Sequence, residues 1–151
     1  MSELLQREGV IEEQLAIYGT YASNTVGTSM RPLLRQHKDV VIILPPEGEL
    51  KPYDVALYRR SGKYVLHRVL RVMEDHYVIR GDNTYSLERI PKTDVIGVMT
   101  EFNRGGKRHS VTETGYKIYA RVWHFIYPLR FVFSKLYGFM YRVYCKLFKR
   151  K

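Results

Sequence analysis

A serine, a histidine and an aspartate stand in three short, distinctive contexts: Gly27-Thr28-Ser29-Met30-Arg31-Pro32, Leu66-His67-Arg68-Val69 and Gly81-Asp82-Asn83. A serine hydroxyl is a poor nucleophile at neutral pH. It needs a base within hydrogen-bond reach and donors for the oxyanion that forms. Ser29, His67 and Asp82 have the side chains of a nucleophile, a general base and an orienting acid. Gly27 lets backbone approach closely beside Ser29, whose own N–H is placed to meet a tetrahedral oxyanion. Met30 and Pro32 fix the turn and pack it on apolar surface. Strand alternation gives His67 the same face as Val65 and Val69. Partial burial there holds an imidazole neutral and able to accept a proton. Arg68 points to the opposite face and reads as structural. Asp82, one hairpin later, is in place to accept from His67 and fix its tautomer.

Taken singly, each signal has a plainer reading. Thr28-Ser29 ahead of a proline makes a turn or a helix cap. A lone histidine on a half-buried strand is more often a core residue. Gly, Asp and Asn are ordinary turn residues. His37, His76, His109 and His124 lack a comparable apolar setting beside a turn that carries an acid.

The elements that must bring these residues together are mostly strands. Residues 3–18 read as a helix, with Leu4, Leu5, Ile11 and Leu15 near helical spacing and Gly19 as its stop. A short strand over 21–26 leads into the serine. Strand patterns follow at 39–44, 53–59, 64–73, 76–80, 94–102 and 107–111, separated by Pro-, Gly- and Asn-containing turns. Five or six short strands with frequent turns predict a compact, mainly β (α+β) body with mixed pairing. Residues 114–126 and 129–149 read as two helices divided near Pro128. The expected organisation is an N-terminal helix (1–19), a β-rich body (20–112) and a basic aromatic helical tail (113–151).

The chain has 151 residues and a formal net charge of +10, unevenly spread. Glu113 is the last acidic residue, and from residue 116 on there are nine Lys or Arg and twelve aromatics. On a helical wheel Lys135, Arg142, Lys146 and Lys149 fall in one narrow arc, and apolar side chains occupy the rest. Such a segment suits an interfacial helix facing an anionic membrane through 116–151. It equally suits a helical hairpin that covers the body with its cations solvated. Nucleic acid is the weaker partner, because no recognised binding fold accompanies the cations and aromatics. A single cysteine, Cys145, excludes an intrachain disulfide and a CxxC-type zinc site. The polar N-terminus lacks the apolar run of a signal peptide, and no stretch approaches the ~20 apolar residues of a spanning helix. The expected location is cytoplasmic or peripherally membrane-associated.

Together the three boxes resemble the signal-peptidase superfamily of serine peptidases. That superfamily carries Ser-Met-x-Pro at the nucleophile, Lys or His before Arg-Val at the base, and Gly-Asp-Asn as a third element. Here these stand in family order as Ser29-Met30-Arg31-Pro32, His67-Arg68-Val69 and Gly81-Asp82-Asn83. Tyr53-Asp54-Val55 and Val95-Ile96-Gly97-Val98 take the places of flanking family motifs, so the likeness covers about residues 20–102. Histidine at the base position is similar to the Ser-His branch. The resemblance implies a signal-peptidase/LexA-like β-fold without cofactor or metal. It also implies cleavage of a peptide or precursor protein after small residues, with Ser29 as nucleophile, His67 as base and Asp82 as orienting acid. The Ser-His branch often has a second acid after Gly-Asp-Asn, for which Glu88 is the nearest candidate. Gly27 stands where some members carry a hydroxyl that assists the oxyanion, leaving Thr28 or the Ser29 amide for that task. The membrane helix usual before the serine is replaced here by a polar amphipathic one. Two other readings remain: a LexA-type self-cleaving regulator, against which stands the lack of an Ala-Gly or Cys-Gly site upstream of Ser29, and a non-catalytic membrane-binding module.

Overall fold

Runs of β-branched and aromatic residues broken by short turns give eight strands, followed by two helices. A computed structural model of the chain describes residues 9–148, with side chains through residue 146. The elements are α1 (Val10–Tyr18), β1 (Tyr21–Asn24), β2 (Val40–Leu44), β3 (Val55–Arg60), β4 (Lys63–Val72), β5 (His76–Arg80), β6 (Glu88–Pro91), β7 (Val95–Arg104), β8 (Lys107–Ser110), α2 (Thr114–Phe125) and α3 (Tyr127–Phe148). The strands form one sheet in the order β1-β2-β7-β3-β4-β5-β6, with β8 paired to β7. The protein is thus a mainly β, α+β fold with an N-terminal helix and a C-terminal helical segment.

Three expectations need correction, and a fourth lies partly outside the described residues. Among the described residues there are eight strands rather than five or six. Every pairing is antiparallel, not mixed. Residues 3–8 of the expected first helix lie outside the described residues; α1 runs from Val10 to Tyr18, and Gly19, with a left-handed φ of +66°, caps it through an N–H bond to Leu15 O. The strand at 88–91 was not expected, because its four residues bury only one apolar side chain, Ile90.

Strand alternation divides the core between two faces of the sheet. On one face Val41, Ile43, Val55, Leu57, Tyr64 and Leu66 pack against α1, the Ser29 loop and Tyr116 of α2. On the other, Ala56, Tyr58, Val65, Val69, Tyr77 and Ile79 form a second cluster. Tyr64 ties α1 down, its hydroxyl accepting from Gly9 N–H and donating to the Glu12 carboxylate.

The β3–β4 hairpin decides the site. Ser61 and Gly62 both have positive φ, which gives the tight turn that matches strand twist. The turn pairs Arg60 with Lys63, and so Tyr58 with Val65 and Ala56 with His67. Tyr58 and His67 are therefore diagonal neighbours on one face. Arg68 falls on the other.

Candidate active site

Ser29 lies in a loop between β1 and β2 that is pinned on both sides. Thr25 Oγ1 donates to Arg35 O at 2.9 Å, and the buried Asp39 carboxylate accepts from the Arg35 N–H and guanidinium. Met30, Leu33 and Leu34 insert into the core. Arg104 donates to Pro32 O at 3.0 Å, and the Arg31–Pro32 peptide is cis. Gly27 has φ +91°, a conformation that suits glycine and turns the chain into the serine. Met30 is buried, whereas Pro32, expected to pack the turn on apolar surface, is exposed. Ser29 is 3% exposed.

Ser29, His67 and Glu88 line one cleft of about 220 Å³. A Cβ built on Gly81 would stand 2.8 Å from Ser29 O and 3.0 Å from both His67 Nε2 and Ser29 Cβ. Ser29 Cβ and His67 Nε2 are thus no more than twice that last distance apart. Gly81 must be glycine because any side chain would wedge between them and strike the Ser29 carbonyl.

The other ring nitrogen is held by a chain of protons. Tyr58 OH lies 3.1 Å from His67 Nδ1 and donates to Glu88 Oε2 at 2.9 Å. A phenol has one proton, and this one goes to the carboxylate. The phenol oxygen is therefore an acceptor toward Nδ1, which must carry the imidazole hydrogen. Nε2 is left with its lone pair. It is buried and makes no hydrogen bond among the described residues. This is the tautomer a general base for Ser29 requires.

Electrostatics keep the relay in this state. Burial pushes His67 down to about 4, against the pull of Glu88, so the imidazole is neutral at pH 7. Burial pushes the Glu88 carboxyl up, but hydrogen bonds from Arg60 (2.6 Å) and Tyr58 outweigh it and hold the acid below its ordinary range. Burial, then the Glu88 charge, pushes the Tyr58 hydroxyl up and keeps it protonated. Replacing Tyr58→Phe removes the acceptor for Nδ1–H. We expect nitrogen-15 spectra of the imidazole to change from one tautomer to a mixture. The protein should also lose about 1–3 kcal/mol from the unsatisfied group. A single unchanged tautomer would show that Tyr58 does not set it.

The assignment of Asp82 needs correction. Its carboxylate does not accept from His67. It forms a two-pronged pair with Arg68, Nε to Oδ1 at 2.7 Å and Nη2 to Oδ2 at 2.8 Å. Both partners are almost fully buried. The reason is strand alternation: a guanidinium buried behind β4 needs a carboxylate, and the Gly-Asp-Asn turn supplies it on that face. The turn also holds the Ser29 loop, since Asn83 N–H donates to Ser29 O at 2.7 Å and Asn83 Nδ2 to Thr28 O at 3.2 Å. Gly81-Asp82-Asn83 is therefore a joint between the serine loop and the histidine strand. The acid near the imidazole is Glu88, with Oε1 3.7 Å from Nδ1.

The helical segment completes this joint, which the sequence reading missed. Tyr116 OH accepts from Arg68, and Tyr119 OH donates to Asp82 Oδ2 at 2.9 Å. Trp123 Nε1 and Arg130 both donate to Asp82 O at 2.9 Å. The tail thus covers the body through α2 and the first turn of α3. Beyond that, Lys135, Arg142 and Lys146 are exposed, and Lys149 lies outside the described residues. Thr28 is exposed and its hydroxyl bonds no described residue, which leaves it available to an oxyanion. Among the described residues no three His, Cys, Asp or Glu side chains cluster as a metal site would. No helix of the described residues is long and apolar enough to cross a membrane. No protein-family model matches the chain, and no curated protein matches it.

Proposed function

We propose that this protein is a serine endopeptidase of the signal-peptidase type that cuts leader or precursor peptides. The observation that carries the reading is the His67 relay: with Nδ1–H spent on Tyr58, the Nε2 lone pair stands in the same cleft as Ser29. The resemblance of the three boxes to the signal-peptidase superfamily supports the substrate class.

In this reading Ser29 Oγ attacks the scissile carbonyl carbon while its proton passes to Nε2. The imidazolium that forms is stabilised through Tyr58 by the Glu88 charge. The tetrahedral oxyanion is met by donors of the 27–29 turn, Thr28 among them. Collapse breaks the C–N bond, and Nε2 returns the proton to the departing amine. Water, deprotonated by the same nitrogen, then hydrolyses the ester on Ser29 and frees the enzyme. Substrates with a small side chain at the cut fit the apolar recess beside the serine. It is lined by Val26, Gly27, Met30 and Leu66 among others and holds about 10 Å³ of free space. That is room for about one water-sized group.

The test is cleavage of a peptide library followed by mass spectrometry and repeated across pH. The expected products end in small residues. Because His67 is pushed down to about 4, its basic form exists above that pH and is lost below it. kcat/KM should therefore stay level from neutral pH down to about 5 and fall roughly tenfold per unit below about 4. The unfolded chain, with an ordinary imidazole, binds the proton first as pH falls from 6.5. Stability therefore also declines toward acid, and circular dichroism must show the protein folded at each point. An acid limb near the ordinary histidine value in a folded protein, or no hydrolysis of any library member, would overturn the reading.

A further inference from the structure

We propose that α3 is an interfacial anchor that seats the protein on an anionic phospholipid surface. The proposal goes beyond the peptide chemistry and does not depend on it. From Val132 to Lys146 every side chain of α3 is exposed except at Gly138 and Cys145. At about 100° per residue, Val132, Leu136, Phe139, Met140 and Val143 share one contiguous face, 41–61% exposed. Lys135, Arg142 and Lys146 stand side by side along the border of that face. Among the described residues none covers it; the body touches the opposite side of the helix at Arg130 and Phe131.

Charge decides what covers this face. The helical segment has no acidic residue after Glu113, so a second copy of α3 would bring like charges together. An anionic lipid surface offers the complementary charge and a hydrocarbon boundary for the apolar face, while the Lys and Arg stems reach back to the headgroups. A cleft of about 580 Å³ at the root of the helix supports the same occupant. It is lined by Arg31, Asn83, Arg130 and Ser134 beside Trp123, with no carboxylate in its wall. Guanidinium, amide and hydroxyl donors next to an indole suit a lipid phosphate at the interface. Arg31 follows Ser29 by two residues, so this seating puts the Ser29 cleft at headgroup level.

The test is co-sedimentation of the full chain with vesicles of phosphatidylcholine alone and of phosphatidylcholine mixed with phosphatidylglycerol. Binding is expected only to the mixed vesicles and should weaken with salt. The triple variant Lys135→Glu, Arg142→Glu, Lys146→Glu should bind roughly 100-fold more weakly. The double variant Leu136→Gln, Met140→Gln, which leaves the charge unchanged, should also lose most of its binding. These side chains are exposed, so folding is not at stake, and near-ultraviolet circular dichroism checks it. Equal binding to both vesicle types, full binding by either variant, or a concentration-dependent dimer that ignores vesicles would each overturn the proposal.

Discussion

Ser29→Ala and His67→Ala should each lower kcat/KM by about 10⁴-fold or more, and the double variant should lose no more than either one. The non-additivity matters more than the size. A nucleophile and its base act in one proton transfer, so removing either removes the whole step. What remains is the rate that substrate binding and the oxyanion donors give without them. Had His67 served only to shape the cleft, the two losses would multiply. Single-turnover cleavage of the same peptide by all three variants measures this. Multiplicative losses, or His67→Ala activity within tenfold of the parent, would sink the pairing of these residues. Ser29→Ala changes one buried oxygen and His67→Ala leaves a cavity beside Tyr58, so the second should also be the less stable.

Asp82→Ala is expected to cost about 3–5 kcal/mol of folding stability, the usual penalty for leaving a buried charge without its partner. Arg68 is 2% exposed and would keep only Tyr53 O and the Tyr116 hydroxyl as hydrogen-bond partners. That is a large part of the roughly 5–15 kcal/mol that holds a domain of this kind together. The double change Arg68→Met, Asp82→Leu should recover most of it, because no charge is then stranded. Urea midpoints of the three variants decide the matter. If Asp82→Ala instead unfolds like the parent and loses only catalysis, the carboxylate belongs to His67 after all.

Much of the fold could be read from residue order. The run Val40-Val41-Ile42-Ile43-Leu44 and the turn Arg60-Ser61-Gly62-Lys63 are strong local signals, and strand and hairpin follow from them. The faces of β4 were also legible, with His67 on the side of Val65 and Arg68 behind. Strand patterns do not encode direction, which is why mixed pairing is the expectation; short turns force only β3–β4, β4–β5 and β7–β8 to run antiparallel, and the pairings of β7 with β2 and β3 are long-range.

The Asp82 error has a physical source. Ser29, His67 and Asp82 invite a triad, but a carboxylate goes to the partner that most needs it, and a buried guanidinium outranks a neutral imidazole. Tyr58 was within reach of the sequence, since counting back from the Ser61-Gly62 turn pairs Ala56 with His67 and sets Tyr58 diagonally beside it. The place of Glu88 was not, because β6 is too short to announce itself. Nor were Tyr119, Trp123 and Arg130, whose contacts to the turn at 81–83 span separations that no local pattern records.

The latch over Asp82 sets where this chain can be shortened. Tyr119, Trp123 and Arg130 close on Asp82 and Tyr116 closes on its partner Arg68, so a minimal protein that stops before α2 would open the joint under the serine loop. A cut after the first turn of α3 would spare those four contacts and remove only the outward-facing length of the helix. For anyone preparing crystals, or fusing the protein to a reporter, the usable boundary therefore falls just past residue 130, well inside what composition alone marks as tail.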